Sequence, residues 1–175
     1  MHRLFALALA ASTVLCASPA DTNRLTGPDR LIKEVRHELV MLPYYGVFDN
    51  LAFKVDGANV TLFGQVTNPT LKSSAENVVK NIEGVQSVTN NIEVLPLSPN
   101  DNLIRRAVYR TLYNNPSLEK YSWGAVPSIH IIVKNGNVTL IGVVDNKMDK
   151  DIAGIQANTV PGVFSVTNDL TVQSN

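Results

Sequence analysis

A seven-residue stretch occurs twice in this chain of 175 residues, and the duplication limits the possible folds more than any other feature. The two copies are VTLFGQV at residues 60–66 and VTLIGVV at residues 138–144, an offset of 78 residues. The same offset pairs Ala75 with Ala153, Gly84 with Gly162, Val88 with Val166 and Asn90 with Asn168. Two copies of a unit of about 70 to 75 residues are too few and too long for a solenoid. The chain is therefore expected to hold two small domains in tandem.

Upstream of the duplicated stretch the offset falls to 72, because Asp29-x-Leu31-Ile32 matches Asp101-x-Leu103-Ile104. The second copy therefore carries six extra residues before its first strand. In the first copy, Asp29 is expected to cap the opening helix, because its carboxylate can accept the unpaired amide hydrogens of the first turn.

Both copies show the same order of periodic segments. Helical spacing of apolar residues marks 29–42, 68–83, 101–113 and 147–160, and alternation marks 51–55, 60–66, 85–94, 129–133, 137–144 and 162–172. A turn at Asp56-Gly57 joins the first two strands as a hairpin. The predicted fold class is α+β, with two tandem αββαβ units, each a three-stranded mixed sheet covered on one face by two helices. The predicted domains are residues 29–95 and 101–173, joined by a linker at 96–100.

The first twenty residues have the pattern of a secretory signal peptide. A basic start precedes an apolar run that ends at Cys16, and small residues follow before Ala20. Leu15 stands where a lipoprotein signal needs a small residue, so we expect removal of Cys16 with the signal and no lipid anchor. Residues 21–28 are then a linker, and the expected location is periplasmic or secreted.

No part of the sequence is arranged like a catalytic or metal site. After the signal peptide only His37 and His130 remain, and neither has a histidine or cysteine at ligand spacing. Basic and acidic side chains number 15 each, so the charge does not favour nucleic acid. We therefore expect no enzymatic activity, no cofactor and no metal.

The first helix of the second copy carries the most informative predicted surface. On a helical wheel its inward half holds Leu103, Ile104, Ala107, Val108, Thr111 and Leu112. The outward half holds Arg105, Arg106, Tyr109, Arg110 and Tyr113, with no acid. Guanidinium groups bind phosphates and tyrosine suits a membrane interface, so this arc is predicted to contact anionic phospholipid headgroups peripherally. The alternative is an ordinary solvated helix face.

The corresponding arc of the first copy predicts no such contact. It holds Lys33, Glu34, His37, Glu38 and Met41, whose charges cancel. The cationic exterior is therefore expected only in the second unit.

The outer face of the second sheet is predicted to be apolar, with Ile132, Ile141 and Val143 on the side away from the helices. Such a face needs cover, so we expect it to pack on the other domain or on a protein partner. Aromatic residues before the first strands either close the core ends or insert at an interface. These are Tyr44, Tyr45, Phe48, Tyr121 and Trp123.

The complete pattern resembles the BON domain, a family of bacterial envelope proteins. The resemblance lies in the openings Leu31-Ile32 and Leu103-Ile104, the hairpins at 57–64 and 135–142, and the closings at 84–90 and 162–168. It implies the helix-strand-strand-helix-strand topology and a non-catalytic role. It also implies phospholipid binding, envelope integrity under osmotic stress, or chaperone-like help for envelope proteins. The insertion at 119–126 and Pro161 depart from the family pattern.

Three functions follow as hypotheses, of which one, a secretin-like or peptidoglycan-associated adaptor, has no specific residues in its favour. The first is an envelope protein that binds anionic phospholipid at a membrane surface. The alternative is a periplasmic protein-binding or chaperone-like module that acts through the outer sheet face of the second domain or an open sheet edge.

Overall fold

The computed structural model describes residues 27–173, so the predicted signal peptide and most of the predicted linker at 21–28 lie outside the described residues. The first unit contains α1 Gly27–Val40, β1 Asn50–Asp56, β2 Asn59–Val66, α2 Pro69–Lys80 and β3 Ser87–Val94. The second contains α3 Pro99–Tyr113, a short 3-10 helix Glu119–Ser122, β4 Ile129–Lys134, β5 Asn137–Val144, α4 Lys147–Asn158 and β6 Ser165–Val172. The predicted order of elements and the α+β class are confirmed. No helix within residues 27–173 is long and apolar enough to cross a bilayer.

Two helix starts differ from the prediction. The first helix begins at Gly27, so Asp29 lies in its first turn and is not the N-cap. The third begins at Pro99 because the Ser98 hydroxyl accepts a hydrogen bond from the Asp101 amide at 3.1 Å. Part of the predicted linker at 96–100 is therefore helical.

Each unit forms a three-stranded sheet with the orders β1-β2-β3 and β4-β5-β6. The first two strands of each unit pair antiparallel, and the third pairs parallel with the second. A β carbon at Gly64 would overlap the carbonyl oxygen of Asn50, and one at Gly142 would overlap the carbonyl oxygen of Ser128. The glycine that ends the duplicated motif is therefore required by the close approach of these strands.

The two helices of each unit cover one face of its sheet and enclose a separate core. The first core includes Leu31, Val35, Leu62, Leu71 and Ile92. The second includes Ile104, Val108, Leu140, Ala153 and Leu170.

Chain segment 45–49 of the first unit joins it to the second unit. The Ile131 amide donates a hydrogen bond to the Val47 carbonyl at 2.7 Å, so this segment occupies the edge of β4 opposite β5. The ring of Tyr45 stacks on His130 with 5.6 Å between centroids.

Two further contacts cross the boundary between the units. The Phe48 ring meets Tyr109 of α3 edge-on at 6.1 Å. Lys134 of β4 pairs with Glu93 of β3 at 2.5 Å. The units thus contact each other through a strand edge, two aromatic pairs and an ion pair.

Candidate functional site

The third helix is rotated relative to its predicted orientation. Its buried stripe is Ile104, Val108 and Leu112, which corresponds to Leu31, Val35 and Leu39 of the first helix at an offset of 73 residues. The predicted offset of 72 is therefore one residue short in this helix. An error of one residue turns a helical wheel by about 100°, which changes the side chains that face outward.

Arg105 lies inside the structure, with 4% of its surface exposed. Its Nη1 donates to Asn102 Oδ1 and its Nη2 to the Val133 carbonyl, both at 2.6 Å. Burial lowers the pKa of Arg105, while the carboxylates of Asp101 and Asp49 act in the opposite direction. The prediction that Arg105 faces outward is wrong, because its guanidinium holds α3 against β4.

Asp49 is a buried carboxylate that the sequence interpretation missed. Its Oδ1 accepts from the Thr67 amide at 2.7 Å and the Thr67 hydroxyl at 2.8 Å, and its Oδ2 accepts from the Gly46 amide at 3.2 Å. These bonds fix the turn that carries Val47 and Phe48 to the second unit. Its position three residues after Gly46 is the only local signal of this turn.

Tyr113 is also buried, with 7% of its surface exposed. Its hydroxyl donates to the Ile129 carbonyl at 2.7 Å, and its ring meets Tyr109 edge-on at 4.8 Å. Burial raises the pKa of Tyr113 above its ordinary value. Its predicted outward position is wrong as well, since the ring closes the core at the end of α3.

The remaining predicted residues do share a surface. Leu103, Arg106, Tyr109 and Arg110 line a shallow depression of about 300 Å³, which we call the α3 face. Both arginines are exposed, and neither pairs with a carboxylate within residues 27–173. Leu103 was predicted to be buried, but 59% of its surface is exposed. The α3 face therefore combines an exposed leucine, two unpaired cations and a half-buried tyrosine.

The first helix carries a comparable surface, the α1 face. It consists of the exposed residues Ile32, Lys33, Arg36, His37, Val40 and Met41. Glu34 and Glu38 are half-buried and line a hollow beside α2. Asp29 lies four residues before Lys33 and therefore on the same side of the helix, so this face carries an acid beside its cations. The cancellation of charge on the first helix stays a prediction.

The predicted protein-binding residues lie between and beside the units. Ile132 is buried and Ile141 half-buried, and both line a cleft of about 510 Å³ together with Ala52 and Phe63 of the first sheet. Val143 remains exposed. The outer face of the second sheet is thus partly covered by the first unit.

The insertion at 119–126 is held to the second unit by polar contacts. The Tyr121 hydroxyl donates to Asp149 Oδ2 at 2.6 Å and accepts from the Asp145 amide at 2.8 Å. Lys120 pairs with the carboxylates of Asp145 at 2.7 Å and Asp149 at 2.9 Å. Tyr121 thereby closes the core, whereas 76% of Trp123 is exposed.

Within residues 27–173 no group of three or more histidine, cysteine or acidic side chains is placed to hold a metal ion. The surfaces that distinguish this part of the chain are helix faces and a cleft between sheets. The fold of these residues is a tandem pair of small α+β modules. More particularly, residues 30–96 and 100–174 each match the BON domain, so the chain belongs to the BON domain family.

The chain is similar to the osmotically-inducible protein Y of Escherichia coli (strain K12), with 32% identity over 124 residues. The match covers 69% of this chain and 61% of that protein. The chain therefore spans about three fifths of the length of this relative.

Two solved structures of CdsD, a structural protein of the type III secretion system of Chlamydia trachomatis, are also similar at 15% identity. The first, of the C-terminal domain, matches over 82% of this chain and 98% of that one with a TM-score of 0.29. The second matches over 82% and 92% with a TM-score of 0.30.

Proposed function

We propose that this chain is an exported, non-enzymatic protein of a bacterial envelope that binds anionic phospholipid at a membrane surface. Membership of the BON family and the similarity to an osmotically inducible protein support a role in the periplasm during osmotic stress. The lipid contact is assigned to the α3 face, where Arg106 and Arg110 bind headgroup phosphates and Leu103 enters the apolar boundary of the bilayer.

The observation that carries this proposal is the pairing of exposed charge with exposed apolar surface on one helix. Arg106 and Arg110 are four residues apart and therefore lie on the same side of α3. The Arg110 Nε donates to the Arg106 carbonyl at 3.2 Å, which directs that side chain along the helix. Leu103 and Tyr109 lie beside them around the same depression. Such a combination of arginine, leucine and tyrosine suits the membrane interface.

The energies predict reversible attachment. Each arginine contributes about 1 kcal/mol near an anionic membrane, and burial of the exposed part of Leu103 adds about 1 to 2 kcal/mol. A total of about 3 to 4 kcal/mol gives weak, salt-sensitive binding from one helix. The α1 face offers further cations, Lys33 and Arg36, with Asp29 on the same side of the helix as Lys33.

Vesicle flotation tests the proposal. Wild-type protein should float with vesicles that contain phosphatidylglycerol, more at low than at high salt, and not with phosphatidylcholine alone. The variant Arg106→Glu with Arg110→Glu should lose this binding. Its matched control is Lys147→Glu with Lys150→Glu on α4, which makes the same change of net charge on another surface.

The outcomes separate the possibilities. Equal loss in both double variants would mean that net charge alone determines binding, which contradicts the assignment to α3. Unchanged flotation of the α3 variant would remove the α3 face as the contact. Absence of wild-type flotation from every vesicle would reject phospholipid binding.

The last result would favour the alternative, a protein-binding or chaperone-like module. The observation that supports it is the set of strand edges in the described residues. The β4 edge is occupied by Val47, but β3 and β6 each pair on one side only. Val143 beside β6 adds exposed apolar surface. An extended segment of another protein would add to such an edge through main-chain hydrogen bonds.

A further inference from the structure

The cleft between the two sheets has a wall of amide side chains on the side of the first unit. Across that sheet Asn50, Gln65 and Glu93 form one row, because each is the register partner of the next. The adjacent row on the same face is Ala52, Phe63 and Asn91. Neighbouring strands lie about 4.8 Å apart. The wall therefore presents polar groups at fixed intervals beside an aromatic ring.

The opposite wall belongs to the second sheet and is more apolar. Ile132 is the register partner of Thr139, and Ile141 is the partner of Asp169. These four residues face the amide wall across a space of about 510 Å³. That volume lies within the range of about 300 to 1,000 Å³ that is usual for small-molecule sites.

The polar groups of the cleft are available to a ligand. Within residues 27–173 the side chains of Asn50, Gln65, Asn91, Thr139 and Asp169 make no hydrogen bond to another residue. Each amide offers two donors and an acceptor, and the threonine hydroxyl both donates and accepts. Groups of this kind match ligands that also donate and accept.

Charge and polarity narrow the class of ligand. Glu93 and Lys134 of the lining neutralise each other as an ion pair, and Asp169 leaves one net negative charge. Anions are therefore disfavoured. A fatty acyl chain would leave three amides without water or partners, which is costly. An uncharged ligand rich in hydroxyl groups satisfies both conditions.

We infer that this cleft is a binding site for an uncharged oligosaccharide. Phe63 has 42% of its surface exposed. The face of its aromatic ring carries partial negative charge and therefore packs against the C–H groups of a sugar ring. Asn91, on the same row as Phe63, and Gln65, on the adjacent row, bind its hydroxyl groups. Ile141, which is half-buried, covers the other face of the sugar. This site is separate from the α3 face and does not depend on phospholipid binding.

Amide chemical shifts of the full mature chain, labelled with nitrogen-15, test the inference. The probes are maltotriose, the β-1,4-linked trisaccharide of N-acetylglucosamine, and trigalacturonate as an anionic control. Shifts confined to the two rows of the first sheet and the facing strands are expected with one or both neutral sugars. Binding of the acetylated sugar alone would indicate an amino-sugar polymer as the source, and binding of maltotriose alone a plain glucan.

Substitutions complete the test. Phe63→Ala and Asn91→Ala should each weaken neutral sugar binding by about tenfold, which corresponds to about 1.4 kcal/mol. Asn77→Ala removes an exposed amide on α2 and should change nothing. Asn91 is exposed, so its variant remains informative even where Phe63→Ala perturbs folding.

The inference is overturned by absence of shifts with both neutral sugars, by shifts outside the cleft, or by equal weakening in the Asn77 control. Equal binding of trigalacturonate would overturn the charge argument on which the ligand class rests. The double arginine variant of α3 should keep full sugar binding, so failure of either proposal is seen independently of the other.

Discussion

Replacing Arg105 by methionine should destabilise the folded protein while membrane binding is retained. Methionine replaces the apolar stem of arginine but has no guanidinium group. The substitution therefore removes two charge-assisted hydrogen bonds of 2.6 Å, to Asn102 and to the Val133 carbonyl. It leaves that carbonyl without its partner and removes the positive charge that interacts with the carboxylates of Asp101 and Asp49.

The size of the effect follows from these contacts. A hydrogen bond to a charged group contributes about 1.5 to 3 kcal/mol, and a buried polar group left unpaired costs about 1 to 3 kcal/mol. Part of this is offset, because Arg105 Nε is already buried without a partner and the variant no longer desolvates a charge. We expect a net loss of about 3 kcal/mol. For a chain of this size that lowers the thermal midpoint by about 6 to 12 °C.

Urea denaturation followed by circular dichroism measures the loss, with Arg106→Met as the matched control. Arg106 is exposed, so its substitution should change stability by less than about 0.5 kcal/mol. In vesicle flotation the Arg105→Met variant should bind like the wild type and the Arg106→Met variant should bind less, since only Arg106 belongs to the α3 face. A stable Arg105→Met variant that no longer floats would refute the reasoning and restore Arg105 as a lipid contact.

Three further perturbations address other parts of the structure. Gly142→Ala should cost more than about 3 kcal/mol, because the new β carbon would overlap a backbone oxygen, whereas Gly46→Ala meets open space and should leave the thermal midpoint nearly unchanged; similar midpoints for the two would contradict the close approach of the strands. Burial lowers the pKa of His130 although the Asp49 carbonyl acts against it, so the unfolded chain binds the proton more readily. Stability should therefore fall as the pH drops below about 6.5, and His130→Gln should reduce that fall in an acid titration; an identical titration would exclude His130 as its source. Tyr121→Phe removes a hydrogen bond to a carboxylate and one from a backbone amide and should lower the urea midpoint by the equivalent of about 1 to 3 kcal/mol, and an unchanged midpoint would show that these bonds do not hold the insertion.

The strands were predictable because their signals are local. Alternation of apolar residues, turns such as Asp56-Gly57 and the glycine at the end of the duplicated motif each depend on a few neighbouring positions. The same sheet order in both units follows from the same local signals in both copies. The class, the order of elements and the BON family were therefore all available from the sequence.

The orientation of α3 was not predictable from a helical wheel. Arginine is almost never fully buried unless it is paired, so Arg105 is expected at the surface and Leu103 in the core. Two of the partners that make burial of Arg105 possible, Asn102 and Asp101, lie within one helical turn, but the other two are far away in the sequence. They are the Val133 carbonyl, 28 residues downstream, and Asp49 in the other unit. A wheel contains no information about either partner.

The contact between the units was also beyond local reasoning. The sequence indicated that Tyr45 and Phe48 precede a strand, but the role of this segment depends on Asp49, which fixes the turn through Thr67. The resulting contacts join residues more than 60 positions apart, such as Phe48 and Tyr109. Tertiary placement of this kind has no periodic signature.

The hydrogen bond between the Val47 carbonyl and the Ile131 amide has a consequence for the evolution of this protein. An uncovered strand edge can pair with other polypeptides. In this protein the first unit covers the β4 edge of the second unit. A recombination event that transferred the second unit alone would leave its β4 edge exposed. The duplicated pair, and not the single module, is therefore the portable piece of this architecture.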